Sequence, residues 1–287
     1  MTRLAVIGLG LIGGSFARAL RGADAVATIV GFDPDPAQRA QALELKVVDR
    51  VAGSAADAAR DADVVVLAVP VLHTAQAARA VKDGLSEPAI LTDVGSTKAS
   101  VLDDVKSVFG ALPARFVAGH PIAGTEKSGV AASKADLFRG HRVILTPHER
   151  QDVAALATVR GLWEAVGARV VEMEPSRHDA IFAATSHLPH VLAYAFVDML
   201  THLDTAAEIF PNAGGGFRDF TRIASSSPEM WHDIVRANRA EVTVLLERQI
   251  TELQDLLALM RDGQWDELRR RFARARAARE RYLPQIE

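Results

Sequence analysis

Residues 4–15 read Leu4-Ala5-Val6-Ile7-Gly8-Leu9-Gly10-Leu11-Ile12-Gly13-Gly14-Ser15. An apolar, β-branched run leads directly into the spacing G-x-G-x-x-G. Its first glycine permits a tight turn, its second lets a pyrophosphate approach the backbone, and its third lets the next helix pack on the strand. We predict a strand, a phosphate-binding loop and a helix whose N-terminus faces the anion. The predicted cofactor contacts in this stretch are Gly8, Leu9, Gly10, Leu11, Ile12 and Gly13.

An acidic residue follows the second predicted strand at the position where a dinucleotide ribose needs an acceptor. Asp33 lies 20 residues after Gly13, and a carboxylate there binds the 2′-hydroxyl of NAD and repels the 2′-phosphate of NADP. The alternative role of Asp33 is helix capping. Asp35, followed by Pro36, supplies a better cap, so we expect Asp33 to be free for NAD.

Short β-branched runs alternate with helical stretches between residues 4 and 173. Runs such as Val64–Leu67 are apolar on both faces, which is typical of parallel strands covered by helices. We therefore predict an α/β fold, with a Rossmann-type doubly wound parallel sheet in residues 1–173 that binds NAD. Val69 and Pro70 follow the fourth strand, where they either lie along the cofactor or simply end the strand.

The pattern becomes helical after residue 173, and we predict an all-helical dimerisation and substrate domain over residues 174–287. Pro189 falls inside one helical period and predicts a kink. Ser227 and Pro228 begin a second helix that the spacing extends to Arg261. Its apolar side chains surround much of its circumference, which favours burial against another subunit in a homodimer.

The composition excludes several classes of protein. The 287 residues contain 33 basic and 36 acidic side chains and no cysteine, which excludes thiolate chemistry and argues against a nucleic-acid binder. We interpret the arginine-rich stretch over residues 269–281 as a solvated helix face. The apolar stretch Ala180–Leu200 is interrupted by polar residues, and the N-terminal run lacks the features of a signal peptide, so we expect no membrane segment and a cytoplasmic location.

Two further strands end in polar sequences that should meet at one sheet edge. The fifth runs into Asp93-Val94-Gly95-Ser96-Thr97-Lys98, and the sixth into Gly119-His120-Pro121. A neutral imidazole at this edge can take a proton from an alcohol that loses hydride, which makes His120 a candidate base, although a buried structural histidine is the alternative. Ser96 or Thr97 can equally well cap the next helix.

The helical region offers a second group of polar residues, Ser186 to His190 and Arg218 to Arg222. Two histidines without a third ligand argue against a metal site. An arginine such as Arg222 suits a substrate carboxylate, whereas Arg218 and Asp219 can form a surface ion pair.

At these residues the chain resembles the prephenate dehydrogenase family. The resemblance rests on five motifs, in family order: Gly8–Ser15, Asp93–Lys98, Gly119–Glu126, Ser186–His190 and Phe217–Ala224. The first motif is shared by many dehydrogenases, but the other four are specific in combination. Some members of the family carry a chorismate mutase segment or a regulatory domain, and we expect neither here.

The resemblance implies NAD-dependent oxidative decarboxylation of prephenate to 4-hydroxyphenylpyruvate in tyrosine biosynthesis, or the equivalent reaction of arogenate, or both. It implies that His120 and Ser96 are catalytic, and that Arg222 holds the ring carboxylate. Ser186, His190, Thr125 and Glu126 are implied to form the substrate pocket. Arg218 is a further candidate for substrate binding, at a position where a lysine was expected.

Two rival interpretations remain. A 3-hydroxyacid dehydrogenase typically uses a lysine from its helical part, but the last lysine here is Lys134, which disfavours that mechanism. A non-catalytic NAD-sensing module would need neither His120 nor Arg222.

Overall fold

A computed structural model describes residues 2–125 and 127–283. The chain forms two compact units, residues 1–239 and 240–287. The sequence predicts a domain boundary at residue 173, where strands give way to helices. That boundary differs from the division between these two units and stays a prediction.

One sheet of eight strands forms the centre of the first unit, in the order β3-β2-β1-β4-β5-β6-β7-β8. The strands are β1 (Thr2–Ile7), β2 (Val26–Phe32), β3 (Arg50–Val51), β4 (Val64–Leu67), β5 (Ile90–Asp93), β6 (Phe116–Pro121), β7 (Arg142–Thr146) and β8 (Arg169–Glu172). All neighbouring pairs are parallel except β6 with β7. The Rossmann-type fold is therefore confirmed, with one antiparallel pair that the sequence pattern did not predict.

Helices cover both faces of the sheet, and further helices follow it along the chain. They are α1 (Leu11–Gly22), α2 (Pro36–Glu44), α3 (Ala55–Ala59), α4 (Thr74–Lys82), α5 (Ala99–Phe109), α6 (Val153–Ala165), α7 (Pro175–Phe182), α8 (Leu188–Thr201), α9 (Ala206–Ile209), α10 (Gly215–Thr221), α11 (Pro228–Ala237), α12 (Arg239–Arg261) and α13 (Trp265–Tyr282). Separate buried clusters lie on the two faces of the sheet. On one face, the Phe16 and Trp163 rings lie 4.0 Å apart. Both faces of the sheet are therefore covered by apolar packing, which leaves the carboxyl edge of the parallel strands as the place for polar site residues.

Helices α7 and α8 are joined by a π-helical segment, Ala183–His187. Pro189 lies in the first turn of α8, directly after this segment, and it has no N–H with which to continue the helical hydrogen bonds. The predicted irregularity is thus a wide turn before the proline. Wider turns of this kind often occur at functional sites.

The stretch Pro175–Thr201 is long and apolar enough to cross a membrane, with a mean hydropathy of 1.4 and 17% of that window buried. This finding covers the described residues and is weak evidence by itself, because helices of soluble proteins have the same length and composition. Buried polar groups, among them His178, Asp179 and His187, interrupt its apolar character. The absence of a membrane segment stays a prediction.

The predicted single helix from Pro228 to Arg261 is wrong. It divides into α11 and α12 at Asn238, which adopts φ −108° and ψ 31°. The side-chain amide of Asn238 donates to the Asp179 carbonyl at 2.8 Å. The break thus coincides with a hydrogen bond from the Asn238 side chain to a distant backbone carbonyl, and no glycine or proline marks it.

The second unit consists of most of α12 together with α13. Its exposed apolar side chains are Val244, Ile250, Leu253, Leu257, Met260, Trp265, Phe272 and Tyr282. Several arginines of α13 pair with acidic side chains of the same helix, including Arg269 with Asp266 and Arg276 with Glu280. The basic stretch is therefore largely neutralised locally, as expected for a solvated helix face.

Candidate active site

The glycine loop between β1 and α1 has the geometry that a pyrophosphate needs. Gly8 has φ +101°, and a Cβ there would lie 2.3 Å from the Ala68 carbonyl oxygen. A Cβ on Gly13 would lie 2.2 Å from the Gly8 oxygen, whereas a Cβ on Gly10 would meet no atom within 4 Å. The first and third glycines are thus required by packing, and the backbone at Gly10 is open to a ligand at the N-terminus of α1.

The Asp33 carboxylate stabilises this loop. Its Oδ2 accepts the Leu9 N–H at 2.8 Å, and its Oδ1 accepts the Asp35 N–H at 2.9 Å. Asp35 caps α2 as expected, by accepting the Ala37 N–H. The expectation that Asp33 has no structural role was therefore wrong. Each carboxylate oxygen retains a lone pair, so Asp33 can still accept from a ribose hydroxyl.

The other predicted cofactor contacts lie next to the glycine loop or at the start of the helices that follow it. Val69 adjoins the glycine loop, because its backbone nitrogen would lie 3.2 Å from a Cβ on Gly8. The side chain of Leu9 is buried in the core, so only its backbone belongs to the site. Pro70 is exposed and precedes a short 3₁₀ turn. Leu11 and Ile12 are partly exposed at the start of α1.

His120 lies near the carboxyl end of β6, at the same sheet edge as the glycine loop. Its Nδ1 is 2.8 Å from Nε2 of His178, and its ring lies 5.0 Å from the Phe182 ring. Burial, followed by electrostatic interactions with His178, Lys98 and His187, lowers the pKa of His120 well below its usual value. The imidazole is therefore neutral at pH 7, which is the form a proton acceptor needs.

A buried ion pair holds the backbone next to His120. The Lys98 ammonium, which is fully buried, contacts the Asp93 carboxylate and also donates to the Gly119 carbonyl at 2.6 Å. The Asp93 Oδ1 accepts the Gly119 N–H at 3.1 Å. Both backbone polar groups of the residue before His120 are thus fixed by one ion pair.

Neither Ser96 nor Thr97 caps helix α5. The Thr97 hydroxyl pairs with the Ser100 hydroxyl, and Ser96 makes no hydrogen bond within the described ranges. The Asp179 carboxylate accepts the N–H groups of Lys98 and Ala99 instead. Ser96 is half-buried after β5, the strand next to that of His120, so its hydroxyl is free to contact a substrate.

Two more histidines lie in the π-helical segment and at the start of α8: His187, which acts electrostatically on His120, and His190. His190 donates through Nδ1 to the Ser186 carbonyl at 2.8 Å, and its ring stacks on Trp231 with centroids 3.4 Å apart. Burial lowers the pKa of His187 to about 4. Burial also lowers the pKa of His190, and the charge of Arg222 adds to this effect. The Ser186 side chain is half-buried, and only its carbonyl has a defined contact.

The remaining predicted substrate residues differ in position. Arg222 is exposed but within electrostatic reach of His190. Arg218 is exposed on α10, and no ion pair with Asp219 forms among the described residues. Thr125 is exposed in the loop after β6, where its hydroxyl accepts the Lys127 N–H at 3.2 Å. Glu126 lies outside the described residues.

A cavity of about 470 Å³ opens beside His190. Trp231 and Tyr194 contribute its aromatic wall, and Arg236 and Arg239 contribute positive charge. His190 is the predicted substrate residue that lines it.

The sequence motifs missed His178 and Asp179. Both are buried on α7, where His178 Nδ1 lies 2.8 Å from Asp179 Oδ1. No motif singled them out. Their signal in the sequence is weak: a His-Asp pair near the start of a helix that begins with Pro175.

Comparison with known proteins decides the family. The family model for the prephenate dehydrogenase nucleotide-binding domain matches residues 16–172, and the model for the prephenate dehydrogenase dimerization domain matches residues 174–274. The chain belongs to the prephenate dehydrogenase family. The predicted family is therefore confirmed, and the protein is an oxidoreductase of this family.

Individual family members support the same assignment. Cyclohexadienyl dehydrogenase of Zymomonas mobilis is 37% identical, over 96% of this chain and 94% of that protein. Prephenate dehydrogenase of Aquifex aeolicus, in complex with hydroxyphenyl propionate and NAD⁺, matches with a TM-score of 0.91 and 38% identity, covering 100% and 99% of the two chains. Arogenate dehydrogenase of Synechocystis matches with a TM-score of 0.81 and 28% identity, covering 98% and 99%.

These relatives support the predicted cofactor and leave the substrate open. The nucleotide-binding family match and the NAD⁺ in the Aquifex complex bear out the prediction of NAD. The names of the relatives include prephenate, cyclohexadienyl and arogenate dehydrogenases, so family membership leaves the substrate open among these.

Proposed function

We propose that this protein catalyses the NAD-dependent oxidative decarboxylation of prephenate to 4-hydroxyphenylpyruvate. The observation that carries the proposal is the position of His120: a neutral imidazole at the carboxyl edge of the sheet, on the same edge as an open glycine loop. Arogenate, or both substrates, is the alternative, because the two differ only in the side chain of the ring.

The residues of this chain divide the chemistry between them. His120 accepts the proton of the ring hydroxyl while Ser96 orients that hydroxyl, and Arg222 holds the ring carboxylate. Ser186, His190, Thr125, Arg218 and Glu126 are the further candidates for the substrate pocket.

Bound NAD supplies the hydride acceptor. As the carbon–hydrogen bond gives up its electron pair, the hydroxyl becomes a carbonyl and its proton moves to His120. The ring then loses CO₂, and the electrons of the broken carbon–carbon bond make the ring aromatic. The resulting phenolate oxygen can take the proton back from His120. Aromatisation supplies the driving force, so the protein need only orient the reactants and hold one proton.

We also propose that the working form is a cytoplasmic homodimer. The family match to a dimerization domain and the eight exposed apolar side chains of the second unit support this proposal. An obligate interface commonly buries more than about 2,000 Å² in total. Light scattering at micromolar concentration should give twice the chain mass of 30.8 kDa, and a monomer would exclude the proposal.

An absorbance assay at 340 nm tests the reaction. Purified enzyme with NAD should form NADH when prephenate is added, and parallel reactions with arogenate measure the preference between the two. NADH formation with arogenate alone would replace prephenate as the substrate. No NADH with either compound would reject both candidates.

A further inference from the structure

A buried chain of three side chains ends at the candidate base. His178 lies between His120 and Asp179, with nitrogen–nitrogen and nitrogen–oxygen distances of 2.8 Å on its two sides. His178 and Asp179 are 0% and 5% exposed. Because both are shielded from water, the hydrogen bonds between the three side chains determine where their protons lie.

Asp179 determines which atom donates and which accepts in the hydrogen bonds between these three side chains. Its Oδ1 accepts the Lys98 N–H at 2.8 Å, and its Oδ2 accepts the Ala99 N–H at 2.9 Å. Burial alone would raise the pKa of Asp179, but the hydrogen bonds from His178 and these two backbone groups lower it below its usual value. Asp179 is therefore a carboxylate, which can only accept hydrogen bonds.

The tautomers of both histidines follow from this. Since Asp179 only accepts, Nδ1 of His178 must carry the hydrogen that it donates. Burial lowers the pKa of His178, so its ring is neutral at pH 7. Its Nε2 therefore carries no hydrogen and has a lone pair that can accept one. The neighbouring Nδ1 of His120 must then donate to that lone pair, and in a neutral ring this leaves Nε2 of His120 as the acceptor.

We propose that His178 and Asp179 are positioning residues that hold His120 in the Nδ1–H tautomer, so that its Nε2 lone pair takes the substrate proton. The inference deepens the proposed function and rests on His120 as its base. Once His120 is protonated, its Nδ1–H remains bonded to His178, and the carboxylate of Asp179 stabilises the positive charge through that ring. The logic is that of a buried aspartate that orients a catalytic histidine.

The surrounding contacts make the arrangement rigid. Asp179 sits at the N-terminus of α5, where the exposed N–H groups favour an anion. Asn238 holds the Asp179 backbone through its carbonyl at 2.8 Å. Lys98 contributes twice, since its N–H binds Asp179 and its ammonium binds the carbonyl of Gly119, next to His120.

The protein contains a second His-Asp pair, which lacks the contact with a further histidine that His178 makes with His120. His232 Nδ1 lies 2.9 Å from Asp233 Oδ1, but the His232 side chain is 64% exposed and bonds to no other histidine within the described residues. His232 also lines the cavity beside His190, so the matched control is His202→Leu: it removes a histidine that is 73% exposed and pairs with Asp198, without touching His120 or that cavity.

The test measures the tautomer of His120 directly. Long-range ¹⁵N–¹H NMR spectra of ¹⁵N-histidine-labelled protein at pH 7 distinguish the two tautomers, and His120→Asn identifies the His120 signals by their loss. We expect the Nδ1–H form in the unchanged protein and in His202→Leu. We expect His178→Leu to admit the Nε2–H form, and His178→Gln to retain the Nδ1–H form, because its carbonyl can accept in place of the imidazole.

Turnover gives an independent measurement. We expect His178→Leu to lower kcat at least ten-fold with the KM for NAD unchanged, and His178→Gln to recover most of it. A wrong histidine tautomer costs a serine protease about 10⁴-fold, which sets the upper bound. An Nε2–H tautomer in the unchanged protein, or an unchanged His120 tautomer in a folded His178→Leu variant, overturns the proposal. If His178→Leu does not fold, the spectrum of the unchanged protein decides. Because the spectra need no substrate, a wrong substrate assignment would leave their result intact.

Discussion

Nδ1 of His120 lies 2.8 Å from Nε2 of His178, which is 58 residues further along the chain. This contact joins the sheet to helix α7 at the point where the chemistry is proposed. It also means that the properties of the candidate base depend on residues outside its own motif.

The acidic limb of the pH profile should lie well below pH 6.5. His120 acts as a base only when neutral, and a lowered pKa keeps it neutral to lower pH, so activity should be lost only as pH falls through that lowered value. The relevant measurement is kcat/KM against pH, because it reports the free enzyme. If the limb is absent in His120→Asn, it belongs to His120. Such a limb at pH 6.5 or above would contradict the lowered pKa of His120.

Replacing Arg222 by alanine should weaken prephenate binding far more than NAD binding. A charge-assisted bond to a carboxylate contributes about 1.5–3 kcal/mol, so KM for prephenate should rise roughly 10–150-fold. Steady-state kinetics with each substrate varied in turn measure both effects. Arg218→Ala is the matched comparison, and an effect on KM from Arg218 alone would assign the ring carboxylate to that residue.

Asp33→Asn should have two effects. Loss of the charge should relax discrimination against NADP. The KM for NAD should also rise, because the carboxylate binds the N–H groups of Leu9 and Asp35 and so stabilises the glycine loop. Asp35→Asn removes a nearby charge but keeps a good helix cap, and it should leave the NAD preference unchanged. An unaltered NADP:NAD ratio in Asp33→Asn would exclude Asp33 from cofactor selection.

Lys98→Met should strongly destabilise the fold. It leaves the Asp93 carboxylate buried without its cation, and breaking a buried pair in this way costs about 3–5 kcal/mol. Urea unfolding followed by circular dichroism measures the loss. Arg269→Ala, which removes one member of an exposed ion pair, is the control, and the account of Lys98 fails if the two variants unfold at the same urea concentration.

Local sequence patterns were sufficient for much of the fold. The glycine spacing, the β-branched runs and the proline-led helix starts act within a few residues, so β1, α1 and the edge position of His120 could be predicted. The reversal between β6 and β7 could not, because a short apolar run has the same pattern in either direction.

Long-range contacts account for what the sequence could not predict. The helix break at Asn238 coincides with a hydrogen bond to the Asp179 carbonyl, and the neutral state of His120 depends on burial and on neighbouring side chains such as His178. The sequence predicts a cofactor role for Asp33 but not its structural role, because the contact between its carboxylate and the Leu9 N–H spans 24 residues. Each of these contacts joins segments that no local motif relates.

The most direct test of His120 as the base compares NADH formation at 340 nm by the unchanged enzyme and by His120→Asn, with prephenate and, in parallel, with arogenate. A positioned base contributes about 10²–10⁴-fold, so kcat of the variant should fall within that range while the dissociation constant for NAD stays the same. The variant should also lose the acidic limb of its pH profile. Near-normal turnover with that limb intact would show that His120 is a structural residue and that the base lies elsewhere.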